Sequence, residues 1–186
     1  LLKTAIASPW DLLVLDGVLY IAMAGPHQIW SHRFGEQTIQ PYAGNGGEDI
    51  KNGPLDDAEL AQPSGLATDG RFVYICDSEG SAIRKMTTKP DNNLRRPTGS
   101  LTTIAGTSDL PNGRSLFEFG DVDGPVEVAR LQHPLGIVHH DGVLYVADTY
   151  NHKIKRINPT TKTTETWLTG ADPQAGIVPP NFSEPA

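Results

Sequence analysis

Six histidines are the side chains of this 186-residue chain with the clearest capacity for metal or acid–base chemistry, and they fall at positions 27, 32, 133, 139, 140 and 152. The sequence has neither an HExxH zinc motif nor a GxSxG nucleophile elbow, and one cysteine cannot supply a thiolate ligand set. The acidic segment from residue 48 to residue 57 lacks the ligand spacing of a calcium loop. We therefore predict no catalytic residue, no metal and no cofactor in this chain.

Cys76 is that one cysteine, and it lies inside the apolar run that begins at Phe72. A thiol in such a run is expected to be buried and unreactive. With no second cysteine, the chain has no internal disulfide and no CxxC redox pair.

Three turns are candidate binding loops on one face of the molecule. They contain Met23, His27, Asp77, Ser81, Asp148, Tyr150, Asn151 and His152. A structural role is the alternative for Asp77 and Asp148, because an Asp that ends a strand caps its own turn through side-chain-to-backbone hydrogen bonds. His27 and His152 occupy equivalent positions in the repeat. Repetition of the sequence therefore accounts for a histidine at both positions as well as ligand binding does.

These positions recur because the chain repeats one pattern three times. In each copy a tyrosine stands nine residues before an isoleucine, at Tyr20, Tyr74 and Tyr145. Upstream of each copy an apolar residue stands three before a proline, and the pair returns as Phe182 and Pro185. The proline spacings are 54, 71 and 51 residues. A period near 50 built from short strands is typical of propellers and solenoids.

Each copy predicts an antiparallel meander of four strands. Asp-Gly pairs at 16–17, 69–70 and 141–142 predict tight hairpin turns. The first strands are apolar nearly throughout and the last two are more polar, as expected when strands run from a central hub to a rim. The predicted blades cover residues 8–44, 62–106 and 133–170, and residues 171–186 are predicted to connect to a next blade. The polar stretch from 87 to 99 is predicted to be an exposed hairpin tip.

Two connectors between the predicted blades share their spacing. Gly53-Pro54 precedes Ala58, Leu60 and Pro63, and Gly124-Pro125 precedes Ala129, Leu131 and Pro134 at identical offsets. We interpret Ala-x-Leu as a buried anchor of the connector and the second proline as the stop before the inner strand.

The run from Tyr145 to Ile154 resembles the NHL repeat, whose unit reads Tyr-Val-Ala-Asp, a small residue, Asn-His, a basic residue and Ile. Residues 74–78 resemble it as well, with Ser81 replacing the His, whereas Met23 stands where the Asp belongs. Residues 8–11, 61–65, 116–121 and 131–136 resemble one subfamily, in which a thioredoxin-like domain precedes an NHL propeller. The resemblance covers essentially the whole chain. It implies the central three blades of a six-bladed propeller, with the thioredoxin-like domain upstream in a longer parent.

The resemblance also implies a function, that of a non-catalytic protein-interaction scaffold that accompanies a thioredoxin-like domain in the parent protein. Two alternatives stay open. One is a propeller enzyme, a metal-dependent lyase or lactonase-like protein with a site on the central face. The other is a redox function of the parent, in which this propeller places the thioredoxin-like domain against its substrate.

Charge and hydropathy limit the partners. A net charge of −7 argues against nucleic acid, because phosphate binding requires a basic excess. One basic cluster remains as a candidate phosphate patch, with a solvated outer strand as the alternative; its members are Arg84, Lys85, Lys89, Arg95 and Arg96. No apolar run approaches the roughly 20 residues of a membrane span, and residues 1–7 do not form a secretory signal. The expectation is a soluble chain with no membrane contact, with the cytoplasm favoured and the compartment left open.

Three blades are too few to close a ring, since propellers carry about four to eight. An open arc exposes the apolar faces of its two terminal blades. We therefore predict self-association into a homodimer, in which two half-propellers close a six-bladed ring with two-fold symmetry. The alternative is a segment that is ordered only when the rest of its propeller is present, with its protein partners unknown.

Overall fold

A computed structural model describes residues 6–88, 98–108 and 115–170 of the chain. Within these residues the strands form three separate sheets, and all their pairings are antiparallel. We call these sheets the first, middle and last blade. The prediction of an all-β chain with three antiparallel meanders is confirmed. Most of the predicted hairpin tip, residues 89–97, and the predicted connector 171–186 lie outside the described residues.

In each blade the four long strands run in chain order from an inner to an outer strand, and in two blades a two-residue strand from earlier in the chain pairs at the outer edge. The first blade contains β1 (Pro9–Leu15), β2 (Val18–Met23), β3 (Gln28–Arg33) and β4 (Gln40–Ala43). The middle blade contains β5 (Gly53–Pro54), β6 (Pro63–Thr68), β7 (Phe72–Asp77), β8 (Ala82–Thr88) and β9 (Gly99–Ala105). The last blade contains β10 (Gly124–Pro125), β11 (Pro134–His140), β12 (Val143–Asp148), β13 (Lys153–Asn158) and β14 (Thr163–Thr169).

The Asp-Gly pairs at 16–17 and 141–142 form two-residue hairpin loops. Both residues of each pair have positive φ, 51° and 73° in the first blade and 47° and 79° in the last. Positive φ at both positions is the type I′ geometry, whose twist matches that of the flanking strands. The turn therefore sets the register in which Leu15 pairs with Val18.

The connectors differ from expectation at one point. Gly53–Pro54 and Gly124–Pro125 are short edge strands that pair with β9 and β14, the outer strands of the blades they lead into. The middle and last blades therefore have five strands. The Ala-x-Leu anchors are buried as predicted, since the residues at 58, 60, 129 and 131 have no exposed surface.

Two apolar clusters hold the three blades together. We call the side of a blade that is turned toward the next blade along the chain its forward face, and the opposite side its backward face. The forward-face members are Leu13, Tyr20, Ala22, Ile29, Tyr42 and Ala43 in the first blade, and Ala67, Tyr74, Cys76, Ile83, Ile104 and Ala105 in the middle blade. They pack against backward-face residues that include Leu66, Val73, Ile75 and Met86 in the middle blade and Ile137, Leu144, Val146 and Ile157 in the last blade. Each fully buried aliphatic side chain contributes about 2 kcal/mol.

The middle blade is covered on both sides and the other two are not. Its inner strand β6 is buried from Pro63 to Ala67, whereas β1 of the first blade has no buried residue. On the backward face of the first blade, Leu12 and Val14 are 61% and 54% exposed. On the forward face of the last blade, Val138 and Trp167 are 56% and 48% exposed. Large apolar side chains therefore lie uncovered at both ends of the stack.

Gly65 lets the inner strands of the middle and last blades approach closely. A Cβ at this position would lie 2.5 Å from the Leu135 carbonyl oxygen and 3.2 Å from the Ile137 nitrogen. These are backbone atoms of β11, so they cannot move without shifting the strand.

We expect Gly65→Ala to lower the free energy of unfolding by about 1–3 kcal/mol, the usual cost of overpacking. The measurement is urea unfolding followed by tryptophan fluorescence. Gly120→Ala is the control, because its new Cβ would meet only the flexible Arg130 side chain, at 3.3 Å. Equal midpoints for Gly65→Ala and the unmodified chain would contradict the close approach.

Candidate functional site

The inner strands of the three blades converge on a cleft of about 720 Å³, which we call the hub cleft. Each inner strand contributes to it, β1 through Trp10 and Asp11, β6 through Ser64 and Gly65, and β11 through residues 135–137. Turn and connector residues complete the wall; they are Gln62, Ser78, Glu79, His133 and Tyr150. The cleft is thus built from residues far apart in sequence.

The residue before each repeated proline has a left-handed backbone. Ser8, Gln62 and His133 have φ of 49°, 57° and 48°. Non-glycine residues seldom adopt this conformation, and proline disfavours the right-handed helical region for the residue before it. The same unusual bend therefore brings the chain into each inner strand, and in the last blade it places His133 in the cleft wall.

His133 links the middle and last blades across the cleft. Its Nε2 lies 2.9 Å from the Oε2 of Glu79, which belongs to the middle blade. Its ring stacks on Tyr150 with centroids 4.3 Å apart and planes 16° apart. Its backbone N–H donates to the Ser81 hydroxyl at 3.2 Å. These contacts fix the imidazole between an acidic and an aromatic side chain.

Two serines of the cleft hold the blades in contact. The hydroxyls of Ser64 and Ser78 are 2.5 Å apart, and Ser78 donates to the carbonyl of Pro134 at 2.8 Å. The Ser64 hydroxyl also lies 3.1 Å from the Leu135 carbonyl oxygen, and its single proton serves either that oxygen or Ser78. Both hydroxyls are thus engaged with each other and with backbone oxygens of β11, an arrangement that joins blades and provides no general base for a nucleophile.

Asp11 supplies a second carboxylate to the cleft besides Glu79. Its Oδ2 accepts the backbone N–H of Leu66 at 2.7 Å, and its Oδ1 accepts that of Leu12 at 2.8 Å. The first of these bonds crosses from β1 to β6. The cleft therefore combines two acidic groups with exposed aromatic surface, since Trp10 and Tyr150 are each 51% exposed.

Asp77 and Asp148 are buried and hold the connectors in place. Asp77 Oδ1 accepts the backbone N–H of Ala61 at 2.6 Å, and Asp148 Oδ1 accepts that of Gln132 at 2.7 Å. Each acceptor thus fixes the segment two residues before the inner-strand proline. This differs from the expected capping of their own turns, since Asp148 makes no side-chain cap to the 3₁₀ turn that follows it.

Two buried cations occupy equivalent positions on the third long strands of the middle and last blades. Arg84 donates through Nη1 to Asp77 Oδ2 at 2.7 Å and through Nη2 to the Lys51 carbonyl at 3.0 Å. Lys155 donates to Asp121 and Asp123, each at 2.7 Å. Arg84 has no exposed surface, so its expected place in a basic surface patch is wrong.

Lys85, the next member of that patch, lies over the ring of Phe72 at 3.7 Å. Lys89, Arg95 and Arg96 lie outside the described residues. The candidate phosphate patch is therefore not assembled by the part of the chain that the structure describes.

The predicted binding-loop residues occupy three kinds of place. Met23, Asp77 and Asp148 are buried, so a ligand contacts these turns only through their neighbours. His27 and Ser81 each accept a backbone N–H from the following blade. Asn151 donates to the Gly120 carbonyl at 2.7 Å, His152 is exposed, and Tyr150 lines the hub cleft.

Sequence reasoning did not select Trp10, Asp11, Glu79 or His133 as site residues. The signal that was present is their position, because Trp10 and His133 flank a repeated proline, Asp11 lies two residues after one, and Glu79 lies in a predicted binding loop. Among residues 6–88, 98–108 and 115–170, no three His, Cys, Asp or Glu side chains cluster closely enough to hold a metal ion. Cys76 is fully buried, and burial raises the pKa of its thiol well above the ordinary value.

The chain resembles curated proteins over nearly its whole length. Human NHL repeat-containing protein 2 is 36% identical over 96% of this chain, which spans 27% of that relative. The Arabidopsis thaliana protein SUPPRESSOR OF QUENCHING 1, chloroplastic, is 41% identical over 86% of this chain, which spans 15% of it. The chain therefore corresponds to less than a third of either relative. No protein-family model matches it.

Solved structures share the fold. An auxiliary nutrient binding protein from Bacteroides ovatus superposes with a TM-score of 0.59 at 23% identity, over 82% of this chain and 35% of that one. A luciferin-regenerating enzyme superposes with a TM-score of 0.52 at 16% identity, over 86% of this chain and 46% of that one. At such identities the likeness concerns the fold alone. No helix in the described part of the chain is long and apolar enough to cross a membrane.

The buried Asp148 gives stability a defined pH dependence. Burial raises its pKa to about 6, above the ordinary 3.8, so the folded chain binds this proton more tightly than the unfolded chain does. The free energy of unfolding is then expected to fall as pH rises from about 4 to about 6, by on the order of 2–3 kcal/mol from this group. We expect Asp148→Asn to flatten that slope in urea unfolding measured at several pH values. A slope unchanged by the substitution would contradict this assignment.

The equivalent substitution in the middle blade has a different expected outcome. Asp77→Asn removes the negative charge from the buried ion pair with Arg84, and breaking a buried pair in this way costs about 3–5 kcal/mol. Asp148→Asn is the matched control, because Asp148 binds an amide where Asp77 binds a cation. Thermal unfolding at pH 7 should therefore show a much larger loss for Asp77→Asn, and equal losses would contradict the difference.

Proposed function

Because the chain belongs to the NHL-repeat family, we propose that it is a non-catalytic propeller module whose hub cleft binds a segment of a partner protein. The observation that carries the proposal is the pair of half-exposed aromatic side chains, Trp10 and Tyr150, in the wall of one 720 Å³ cleft. Exposed Trp and Tyr side chains in concave sites are the residues that anchor protein interfaces most often.

The charge of the cleft favours a basic segment. Glu79 and Asp11 contribute two carboxylates, and the faces of the two aromatic rings attract cations. A Lys or Arg side chain placed between a carboxylate and an aromatic ring of the cleft gains an ion-pair and a cation–π interaction in one site. The proposed partner is therefore an extended segment that carries at least one basic residue.

The polar groups of the cleft are also held in fixed positions before any ligand binds. Its acidic and hydroxyl groups are anchored by hydrogen bonds to backbone atoms of neighbouring blades. Pre-organised groups of this kind lose little conformational entropy when a ligand binds. The volume lies within the range of about 300–1,000 Å³ typical of ligand sites.

Three expectations from the sequence stay predictions. The first is the alternative of a metal-dependent lyase or lactonase-like enzyme with a site on the central face; in the cleft, His133 contacts Glu79 and Ser78 binds the Pro134 carbonyl. The accompanying thioredoxin-like domain would lie in a longer parent protein. The sequence favours the cytoplasm as the compartment, whereas the Arabidopsis relative is named as chloroplastic.

Selection from a phage-displayed library of short random peptides tests the proposal. We expect the enriched peptides to contain Lys or Arg, and we expect Tyr150→Ala to weaken the best synthetic peptide by about tenfold or more in isothermal titration. Glu79→Gln should weaken it as well, because the substitution removes one of the two cleft carboxylates. Phe117→Ala is the control, since Phe117 is 76% exposed and lies outside the cleft. No enrichment, or an equal loss for Phe117→Ala, would overturn the hub cleft as the binding site.

A further inference from the structure

Most basic side chains in the described part of the chain form an ion pair with a carboxylate. The paired ones are Arg33, Lys51, Arg84, Lys153, Lys155 and Arg156. Within residues 6–88, 98–108 and 115–170, the lysines and arginines that form no such pair are Arg71, Lys85, Arg130 and Lys162. Carboxylates are not scarce, since the chain has 22 acidic and 15 basic residues. The unpaired cations therefore mark a place where positive charge is left uncompensated.

All four unpaired cations lie along the boundary between the middle and last blades. Arg71 and Lys85 belong to the middle blade, one just before β7 and the other in β8. Arg130 lies in the connector to the last blade, and Lys162 lies in the turn between β13 and β14. This boundary is inside the stack, away from the two faces on which a further blade would pack. We call the surface along it, defined by these four residues, the basic boundary.

One aromatic ring holds two of the cations close together. Lys85 Nζ lies 3.7 Å from the centroid of the Phe72 ring, and Arg71 Cζ lies 4.8 Å from the same centroid. Cation–π contacts of this kind contribute about 0.5–1 kcal/mol each at exposed sites. Partial burial lowers the pKa of Lys85, and the neighbouring charges of Arg71 and Lys162 lower it further. Three like charges are thus within electrostatic reach of one another.

The carboxylate beside this group of charges is engaged in its own turn. Asp69 Oδ1 accepts the backbone N–H groups of Arg71 and Phe72 at 2.9 and 2.8 Å, and its Oδ2 accepts the Tyr74 hydroxyl at 2.9 Å. Its charge favours the protonated form of Lys85 but forms no ion pair with it. The other titratable ring here is His139, which stacks on Tyr74 with centroids 6.4 Å apart. Asp69 therefore organises the hairpin and leaves the cations free for an external anion.

The other end of the basic boundary is a cleft of about 480 Å³, which we call the rim cleft. Arg130 and Lys162 line it, together with Thr103 and Thr107 of the middle blade. Arg130 Nη1 donates to the carbonyls of Val128 and Ala129 at 3.0 and 2.9 Å, so its guanidinium is held in place and keeps its charge. Two carboxylates also line the cleft, those of Glu118 and Glu127, and neither forms an ion pair with these cations. Lys162 thus joins the rim cleft to the cations at Phe72.

We propose that the basic boundary binds an extended acidic polypeptide segment, whose carboxylates supply the counter-ions that Arg71, Lys85, Lys162 and Arg130 lack. A row of cations fits the regularly spaced side chains of an extended chain better than it fits one compact anion. A polypeptide also places backbone N–H groups opposite Glu118 and Glu127, whereas a nucleic acid carries a phosphate at every step. The site is separate from the hub cleft and takes a ligand of the opposite charge.

Fluorescence anisotropy with a fluorescein-labelled deca-glutamate peptide tests the proposal. We expect saturable binding that weakens as the salt concentration rises, because salt screens exposed charges. Arg71→Gln and Lys162→Gln should each weaken binding about two- to fivefold, the usual effect of one exposed ion pair, and the double variant about tenfold. Both side chains are exposed, so neither substitution removes a core contact.

Arg156→Gln is the matched control, because it removes the same charge from a side chain that pairs with Glu165 on the forward face of the last blade. It should bind the peptide as tightly as the unmodified chain does. Tyr150→Ala, which alters the hub cleft, should also leave this binding unchanged, so the two sites are tested independently. Three outcomes would each overturn the proposal: no salt-dependent binding, an equal loss for Arg156→Gln, or tighter binding of a labelled oligodeoxythymidylate of the same length.

Discussion

The middle and last blades depend on one shared constraint, the capture of the connector by a buried carboxylate before the chain enters the inner strand. Asp77 and Asp148 each accept the backbone N–H of the residue two positions before the inner-strand proline. The next residue, immediately before the proline, has a left-handed backbone that completes the bend. A buried backbone N–H without an acceptor costs about 1–3 kcal/mol, so this bond strongly restricts the path of the connector. The positions of β6 and β11 follow from that path.

The hub cleft is a consequence of the same constraint. Once the connectors are fixed, the inner strands meet close enough for Ser64, Ser78 and Asp11 to bind backbone atoms of the next blade. The side chains that remain toward solvent are the aromatic rings of Trp10 and Tyr150 and the carboxylate of Glu79. The first blade has Met23 at the position of the buried Asp, and Trp30 at the position of the buried cation, so its connector is held differently from those of the other two.

The strands could be predicted from the sequence because their signals are local. The bounds of β7 and β12 follow from an apolar run between an Asp-Gly turn and an Asp, and the structure has the same residues. The two-residue edge strands have no periodicity to detect. Arg84 stands next to Lys85 in the sequence and would be expected to be exposed, whereas its burial follows from partners that lie 7 to 33 positions away in the chain. His133 and Glu79 are 54 residues apart, and their contact arises only when two blades stack.

The edge strands Gly53–Pro54 and Gly124–Pro125 have a consequence for the rim of the molecule. Each covers part of the outermost long strand of its blade and ends in a residue that has no backbone N–H to offer. The first blade has no such cover among its described strands, but its outer strand carries Pro41. Proline on a sheet edge prevents another chain from adding a strand there. The rim is thereby protected against amyloid-like edge-to-edge aggregation. This protection does not extend to the exposed apolar faces of the first and last blades.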